Sequence, residues 1–423
     1  MLNYIINKTN YEKITNYIKT IIFLLAMGFA ISSCSSDDSI EPIPQNNVPP
    51  TLLDCDFFSA GGDIHLENIP DAPVDYIISC DPRIKANLLI DAGVVIAFEK
   101  NAGLQFIEDE NYKIEMRGTS SNPIILTGTE KNKGHWRGLL MTSDNPSNIM
   151  SHVTVEYAGQ IRPGGWNYKG AVIGSWGAVM ELDSCTIQDC QEIGLHWVGY
   201  ASTLNISNST FTRNDLPILT NPNFINSIDE TSTYSGNVND YIRLEHTDVN
   251  KDITFHNIDV PFFSNGFKPS NSAKRRFTFK PGVTLIMDAG SEIRFNNAFS
   301  YQHETIMVGT ADNRITIKGK EAVPGYWKGI SIESNSPLNE IRFLDISDAG
   351  KTTGYPNGAI KLGHTDYLKI HDVNFINCFE YGVSINYYYG YNFFLEYSNL
   401  TLDNTPKLFS DWQGAEVIDP YNP

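Results

Sequence analysis

The chain has 423 residues, 19% of them charged, and its 49 acidic residues outnumber the 31 basic ones to give a formal net charge of −18. A body that acidic repels phosphate backbones and stands off from anionic lipid, so nucleic acid and a basic membrane-binding patch are both excluded as modes of action. Abundant Gly, Asn, Ser and Thr, with Tyr and Phe outnumbering Trp, favour many short strands and turns over helices.

The N-terminus carries Lys8, Lys13 and Lys19 and then an apolar run at 21–30. About ten apolar residues are too few for a spanning helix and suit the core of a secretory signal. The run leads into Ile31-Ser32-Ser33-Cys34 and the acidic stretch Ser35-Ser36-Asp37-Asp38. This resembles a bacterial lipobox followed by the export signal of surface-exposed Bacteroidetes lipoproteins. The resemblance implies that 1–33 is a lipoprotein signal peptide, that Cys34 is lipidated, and that the protein sits lipid-anchored on the outer membrane, exposed at the cell surface. Its membrane partner is then reached through the lipid. Losing 1–33 removes three lysines and one glutamate and moves the net charge from −18 to −20. Residues 34–62 read as tether and N-terminal cap, since SIEPIPQNNVPP at 39–50 cannot build a core.

The body writes itself twice. Residues 116–159 and 307–350 align at a constant offset of 191, with 15 of 44 positions identical. The identities include Gly118/Gly309, Trp136/Trp327, Gly138/Gly329, Pro146/Pro337 and Ala158-Gly159/Ala349-Gly350. The match extends outward at offsets of 189 and 188, through Gly93-Val94/Gly282-Val283, Gly170-Ala171/Gly358-Ala359 and Cys190/Cys378. Two copies, 63–250 and 251–423, are therefore expected, and duplication is the signature of a stacked architecture.

Within each copy the apolar runs are short (Leu88-Leu89-Ile90, Ile124-Ile125-Leu126) or alternate with period two (Val153-Thr154-Val155, Leu204-Asn205-Ile206), which predicts strands of three to five residues. Asn-bearing corners follow at Gln188-Asp189-Cys190, Thr212-Arg213-Asn214, Ile376-Asn377-Cys378 and Asp403-Asn404. Asn tolerates left-handed backbone angles and can bond the next coil, which favours a parallel β-helix over a sandwich or propeller. The stretches GT..NPI.LTG, G.W.G, EYAG and Cys185-Thr186-Ile187-Gln188-Asp189-Cys190 are similar to those of right-handed parallel β-helix lipoproteins of Bacteroidetes. The resemblance covers nearly the whole mature chain and implies an all-β, single-stranded right-handed parallel β-helix. Related scaffolds include polysaccharide lyases and pectinase-like hydrolases.

Cysteine spacing shows no CxxC, so a structural zinc is not expected, and no motif asks for a cofactor. Cys185, Cys190 and Cys378 fall at core positions. Cys55 and Cys80 have no counterpart in the second copy, and a disulfide between them is open after export.

Catalytic motifs do not assemble in the sequence. Asp37-Asp38 lies in the tether, Gly363-His364-Thr365 lacks the second Gly of the hydrolase pattern, and Arg83-Ile84-Lys85 comes at the wrong end of the chain. A lyase would need a base and a carboxylate neutraliser, for which Glu156, Glu181, Asp183, His196 and Arg162 are the first-copy candidates. Trp136 and Trp327, glycine-flanked in both copies, read as structural slots. The binding candidates are aromatics off the strand pattern: Trp166 and Tyr168, with Arg162, in the loop 160–169, beside Trp197 and Tyr200. Tyr387, Tyr388 and Tyr389 stand in the second copy. The loop 160–169 is three residues longer than its duplicate. The leading expectation is a binding or adhesion module for polysaccharide or a surface protein, glycan favoured. The alternative is a polysaccharide lyase or glycoside hydrolase on the same scaffold.

Overall fold

Period-two alternation gives each short run one buried face, and a strand of three residues is stable only when others are stacked on both sides of it. The structure, a computed structural model, describes residues 48–106, 112–161, 169–199, 201–270, 273–296, 302–353, 357–363, 366–385, 393–411 and 413–421. Its strands stack coil upon coil in parallel ladders, and the chain folds as a right-handed parallel β-helix. A first face runs from Thr51–Leu53 through Tyr76–Ile78, Val95–Phe98, Ile124–Gly128 and Val153–Glu156 to Thr210–Thr212. A second runs from Ile64–Leu66 to Thr203–Ser207, and a third begins at Arg83–Ile84 and continues through Leu104–Phe106 and Leu139–Met141. Among the described residues the one antiparallel pairing is Lys407–Ser410 with Glu416–Val417. Among the described residues no helix is long and apolar enough to cross a membrane.

Strict register puts like side chains on top of one another. On the second face Ile90, Met116, Met150, Leu182 and Ile206 are successive partners and all are buried. On the first, Ile96, Leu126, Val155, Ile187 and Phe211 form the matching column. Burying each such side chain contributes about 1.5–3 kcal/mol.

Many corners are single residues in the left-handed region. Between second and first faces these are His152, Ser184 and Asn208, and later Phe343, Asp372 and Asn399, with φ between +49° and +56°. The next corner repeats the device at Asp189, Arg213, Asp348, Asn377 and Asn404. A non-glycine residue there costs about 1–2 kcal/mol. Asn therefore fills only some corners, and the stacked geometry imposes the conformation on whatever residue stands there. Residues just past the corner bond vertically: Cys190 N–H donates to Asn214 Oδ1, and Asn214 N–H to Asn237 Oδ1, both at 3.0 Å. Cys185 N–H donates likewise to Ser209 Oγ (3.1 Å), and Cys378 N–H to Thr405 Oγ1 (3.0 Å). Burial pushes the thiols of Cys185 and Cys190 up to about 12 and that of Cys378 to about 11, as suits inert core sulfur.

Positions 191 apart make the same bonds. Trp136 Nε1 donates to Glu156 O at 2.9 Å and Trp327 Nε1 to Ser347 O at 2.8 Å, both rings being fully buried. Ile114 N–H donates to Asn148 Oδ1 and Thr305 N–H to Asn339 Oδ1, each at 2.9 Å. Gly138 (φ +83°) and Gly329 (φ +92°) lie so close to the next coil that a Cβ would sit 2.1 Å from Ala171 O and 2.3 Å from Ala359 O. Only glycine fits there.

The faces are handed on between 222 and 269. The first ends at Thr210–Thr212, joined only to Thr233 by an isolated bridge. The 3-10 helix Pro222–Ser227 replaces a strand on the second face. The third continues unbroken through Ile242–Leu244 and Phe262–Ser264 into Thr284–Met287. A fourth column starts at Asp248–Val249 and Lys268–Pro269 and is taken up through the bridge Phe267–Ile293. So Thr284–Met287, the sequence counterpart of Val95–Phe98, stands on the third column instead of the first. Phe255, Phe262, Phe267, Phe277, Phe279 and Phe295 fill the interior of this crossover, ring centroids 4.4 to 6.3 Å apart.

Three strands beyond it are longer than the three to five residues expected. Glu340–Ser347, Tyr367–Ile376 and Phe394–Asp403 each run through a left-handed corner residue without losing register. At the other end, Asp54 caps the helix Cys55–Ser59 by accepting from Phe57 N–H at 3.0 Å. A Cys55–Cys80 disulfide (Cα–Cα 6.0 Å) ties that helix to the first coil.

Because both indoles fill closed slots, Trp136→Ala and Trp327→Ala should each lower stability by about 3–5 kcal/mol in denaturant unfolding. A variant that unfolds like the parent would show that its slot collapses at no cost.

Candidate functional site

The sequence candidates scatter. Glu156 on the first face belongs to a structural ladder, accepting from Thr127 Oγ1 (2.8 Å) and Gln188 Nε2 (3.0 Å). Glu181 and Asp183 lie on the second face, where hydrogen bonds from Ser207, first, and Asn208 hold the Asp183 carboxyl below the usual range. His196 lies on the third, its Nδ1 3.1 Å from Lys169 O, with burial holding the imidazole below its ordinary pKa. Three faces cannot make one catalytic centre.

Trp197 is a correction. It was expected as an exposed binding aromatic, but it is fully buried, paired in register with Gly174. A Cβ on Gly174 would come within 2.0 Å of the indole, so the glycine makes the ring's room. In Ile193–Trp197 both sides of the strand are covered, and periodicity could not show that. Cys34, Arg162, Trp166, Tyr168, Tyr200, Tyr387, Tyr388 and Tyr389 lie outside the described residues. Trp176, 51% exposed at a φ of +51°, was missed; its place in the turn Ser175-Trp176-Gly177, off the strand period, was the available signal.

What the structure does bring together is a cleft of about 430 Å³ beside the duplicate of the loop 160–169. Thr352, Thr353, Asn357, Glu380, Tyr381, Pro406, Lys407 and Gly414 line it. Asn357 is its hinge: Oδ1 accepts from the N–H and hydroxyl of Thr352 (3.0 and 3.1 Å), and Nδ2 donates to Glu380 Oε2 at 3.0 Å. Glu380 is held left-handed, φ +60°, with its carbonyl accepting from Lys407 N–H at 3.0 Å. Tyr381 forms a wall, its hydroxyl donating to Gly414 O at 2.9 Å. The Lys407 ammonium pairs with Glu416 at 3.1 Å and lies 5.7 Å above the Tyr381 ring. That pairing, Glu416 foremost, raises Lys407 above the ordinary lysine range. The first copy repeats the plan with other residues: Glu192, φ +58°, takes Lys169 Nζ at 3.0 Å, and Ile193 replaces Tyr381.

Chemically the cleft offers amide, hydroxyl and carboxylate groups around one aromatic ring, the mixture that meets sugar hydroxyls. It lacks a lysine primed as a base. Lys251 and Lys361 are the lysines held below the usual range, both first by burial, and Lys361 is bound to Glu292 Oε1 at 2.7 Å on another part of the fourth column. His65, Glu67 and Asp91, at the N-terminal end, bring ligand atoms within 4.8 Å of one another and could hold a metal ion, although His65 already pairs with Asp91 at 3.0 Å.

A family model described as a pectate-lyase like beta helix domain matches residues 76–170. The protein is a parallel β-helix repeat protein. No curated protein and no solved structure matches the chain significantly. The matched segment runs from the strand Tyr76–Ile78 to just past Val153–Glu156, so the likeness concerns scaffold and stops short of the cleft.

One buried acid governs the pH response of this end. Burial first, then the Glu333 charge, raises Asp366 to about 7, against Gly363 N–H, which it accepts and which acts the other way. An unfolded Asp titrates near ~4. Below that both states hold the proton; as pH rises towards 7 only the unfolded chain ionises, and stability falls. Asp366→Asn should therefore gain in Tm over the parent from pH 4 to pH 8. A constant difference across that range would remove Asp366 as the cause.

Proposed function

We propose that the protein is a surface-exposed, lipid-anchored binding module that holds glycan at the corner loops of its β-helix. The observation that carries this reading is the cleft at Asn357 and Glu380, a pre-formed polar recess with an aromatic wall, set on a rigid coil. Sugar rings present both hydroxyl arrays and apolar faces, and a site of this kind answers both. The loop 160–169, with Arg162, Trp166 and Tyr168, is proposed as the second contact. The match to a pectate-lyase like domain supports a glycan-related role.

A lyase is the second reading, favoured by the same match. Against it stands Lys407, the one lysine of the cleft: elimination next to a uronate needs a base that loses its proton readily, and Lys407 is pushed the other way.

Binding to a glycan array and calorimetry on the hits test the proposal. Asn357→Ala and Glu380→Gln should each weaken binding about tenfold or more with Tm nearly unchanged, as expected for loss of one or two sugar hydrogen bonds. Unchanged affinity in both would place the site elsewhere. Ultraviolet-absorbing unsaturated products from a polyuronate would establish the lyase instead. For the anchor, Cys34→Ala should release the protein from the membrane fraction, and unaltered partition would end the lipoprotein reading.

A further inference from the structure

The terminal strand of the longest sheet leaves it with an open edge. Among the described residues Phe394–Asp403 pairs with Tyr367–Ile376 and with no other strand. Phe394 N–H donates inward to Asp366 O, and Asp403 O accepts from Asn377 N–H. By the alternation of a strand, the peptide groups of Leu395, Tyr397, Leu400 and Leu402 then face away from the body. The Tyr421 hydroxyl caps both groups of Leu395, at 2.6 and 2.5 Å. Among the described residues no hydrogen bond covers the other three. Apolar surface gathers here too: Phe394 is 41% exposed, Tyr397 36%, Leu402 39%, Ile418 94% and Tyr421 54%. A long, exposed, apolar edge of this kind is a template for another strand.

We propose that this edge pairs with the same edge of a second copy, antiparallel and about a two-fold axis that passes between Ser398 and Asn399, at the corner. The strand is bent there (φ +52°), with 394–398 on one arm and 400–403 on the other. A two-fold axis bisecting the bend lays each arm on the opposite arm of the partner. Centring the register between Ser398 and Asn399 sets Tyr397 against the partner's Leu400 and Leu395 against the partner's Leu402. All four are the positions whose peptide groups face outward, so hydrogen-bonded pairs meet hydrogen-bonded pairs. The same register puts Glu396 opposite the partner's Thr401 and Asp403 opposite the partner's Phe394, which keeps the acids apart. A slip of one residue sets outward peptide groups against inward ones. A slip of two either sets Glu396 against the partner's Asp403 or leaves Leu402 and Asp403 without partners on the strand. The pattern is self-complementary in one register, as an isologous interface requires. Tyr421 occupies the place of the partner's Leu402 in the free chain, and the dimer displaces it.

Sedimentation velocity on the purified full-length chain over a concentration series tests this. A reversible dimer is expected. Thr401→Glu, at an exposed position, faces the partner's Glu396 twice and should weaken the dissociation constant about tenfold, whereas Thr401→Lys should tighten it. Tyr421→Phe, which loses the cap's hydrogen bonds, should also tighten it. The double variant Glu396→Cys/Thr401→Cys should form an interchain disulfide, since these are non-hydrogen-bonded cross-strand neighbours, and neither single variant should. A one-chain mass at every concentration overturns the proposal. So does a dimer that is indifferent to both Thr401 variants and gives no crosslink, with melting temperatures confirming that each variant folds.

Discussion

Much of this molecule depends on backbone residues turned the wrong way and held there from above and below. The left-handed residues at the corners cost free energy individually, and Tyr157 and Phe343 are not among the residue types that favour that conformation. What stabilises them is the parallel ladder on either side, together with the vertical bonds of Asn214, Asn237, Ser209 and Ser232 to the N–H groups that the turn would strand. Apolar columns then follow from register, since a corner fixed at one residue fixes which side chains point inward. Stability of this kind is shared between neighbours and cannot be assigned to any one coil.

That cooperativity explains what was legible in the sequence. Strands and corners could be read because each is a local pattern repeated in one dimension, and Trp136, Trp327, Cys185, Cys190 and Cys378 declared themselves through their counterparts. The handover of faces could not be read. Thr284–Met287 aligns with Val95–Phe98 at the offset of 189, yet the pairing partners differ. The 3-10 helix at Pro222–Ser227, which lets the column shift, has no periodic signal of its own. Trp197 misled because an aromatic next to a variable loop looks exposed until Gly174 in the preceding coil is known to lie against it.

The candidate cleft was half legible. The longer loop drew attention to the first copy, while the recess that the described residues form lies beside the shorter one. Glu192 and Glu380 occupy equivalent strained corners, but only Glu380 has Asn357, Tyr381 and Lys407 around it. Spacing in the sequence gave no hint of that, since the four residues come from three separate coils. A solenoid assembles its sites vertically, from residues roughly one turn apart, and a motif search reads horizontally.

The handover also decides how many directions the molecule can address. Gln160 and Lys169 flank the corner where the first face meets the third, while Lys351 and Asn357 flank the corner where the third column meets the fourth. The two loops therefore stand on different ridges of the rod, separated by the width of its longest sheet. Had the repeat been a simple translation, both would lie along one ridge, like teeth of a comb, and a single extended chain could thread them in sequence. As built, a ligand engaging both loops must cross the sheet, or two ligands must be held on separate flanks.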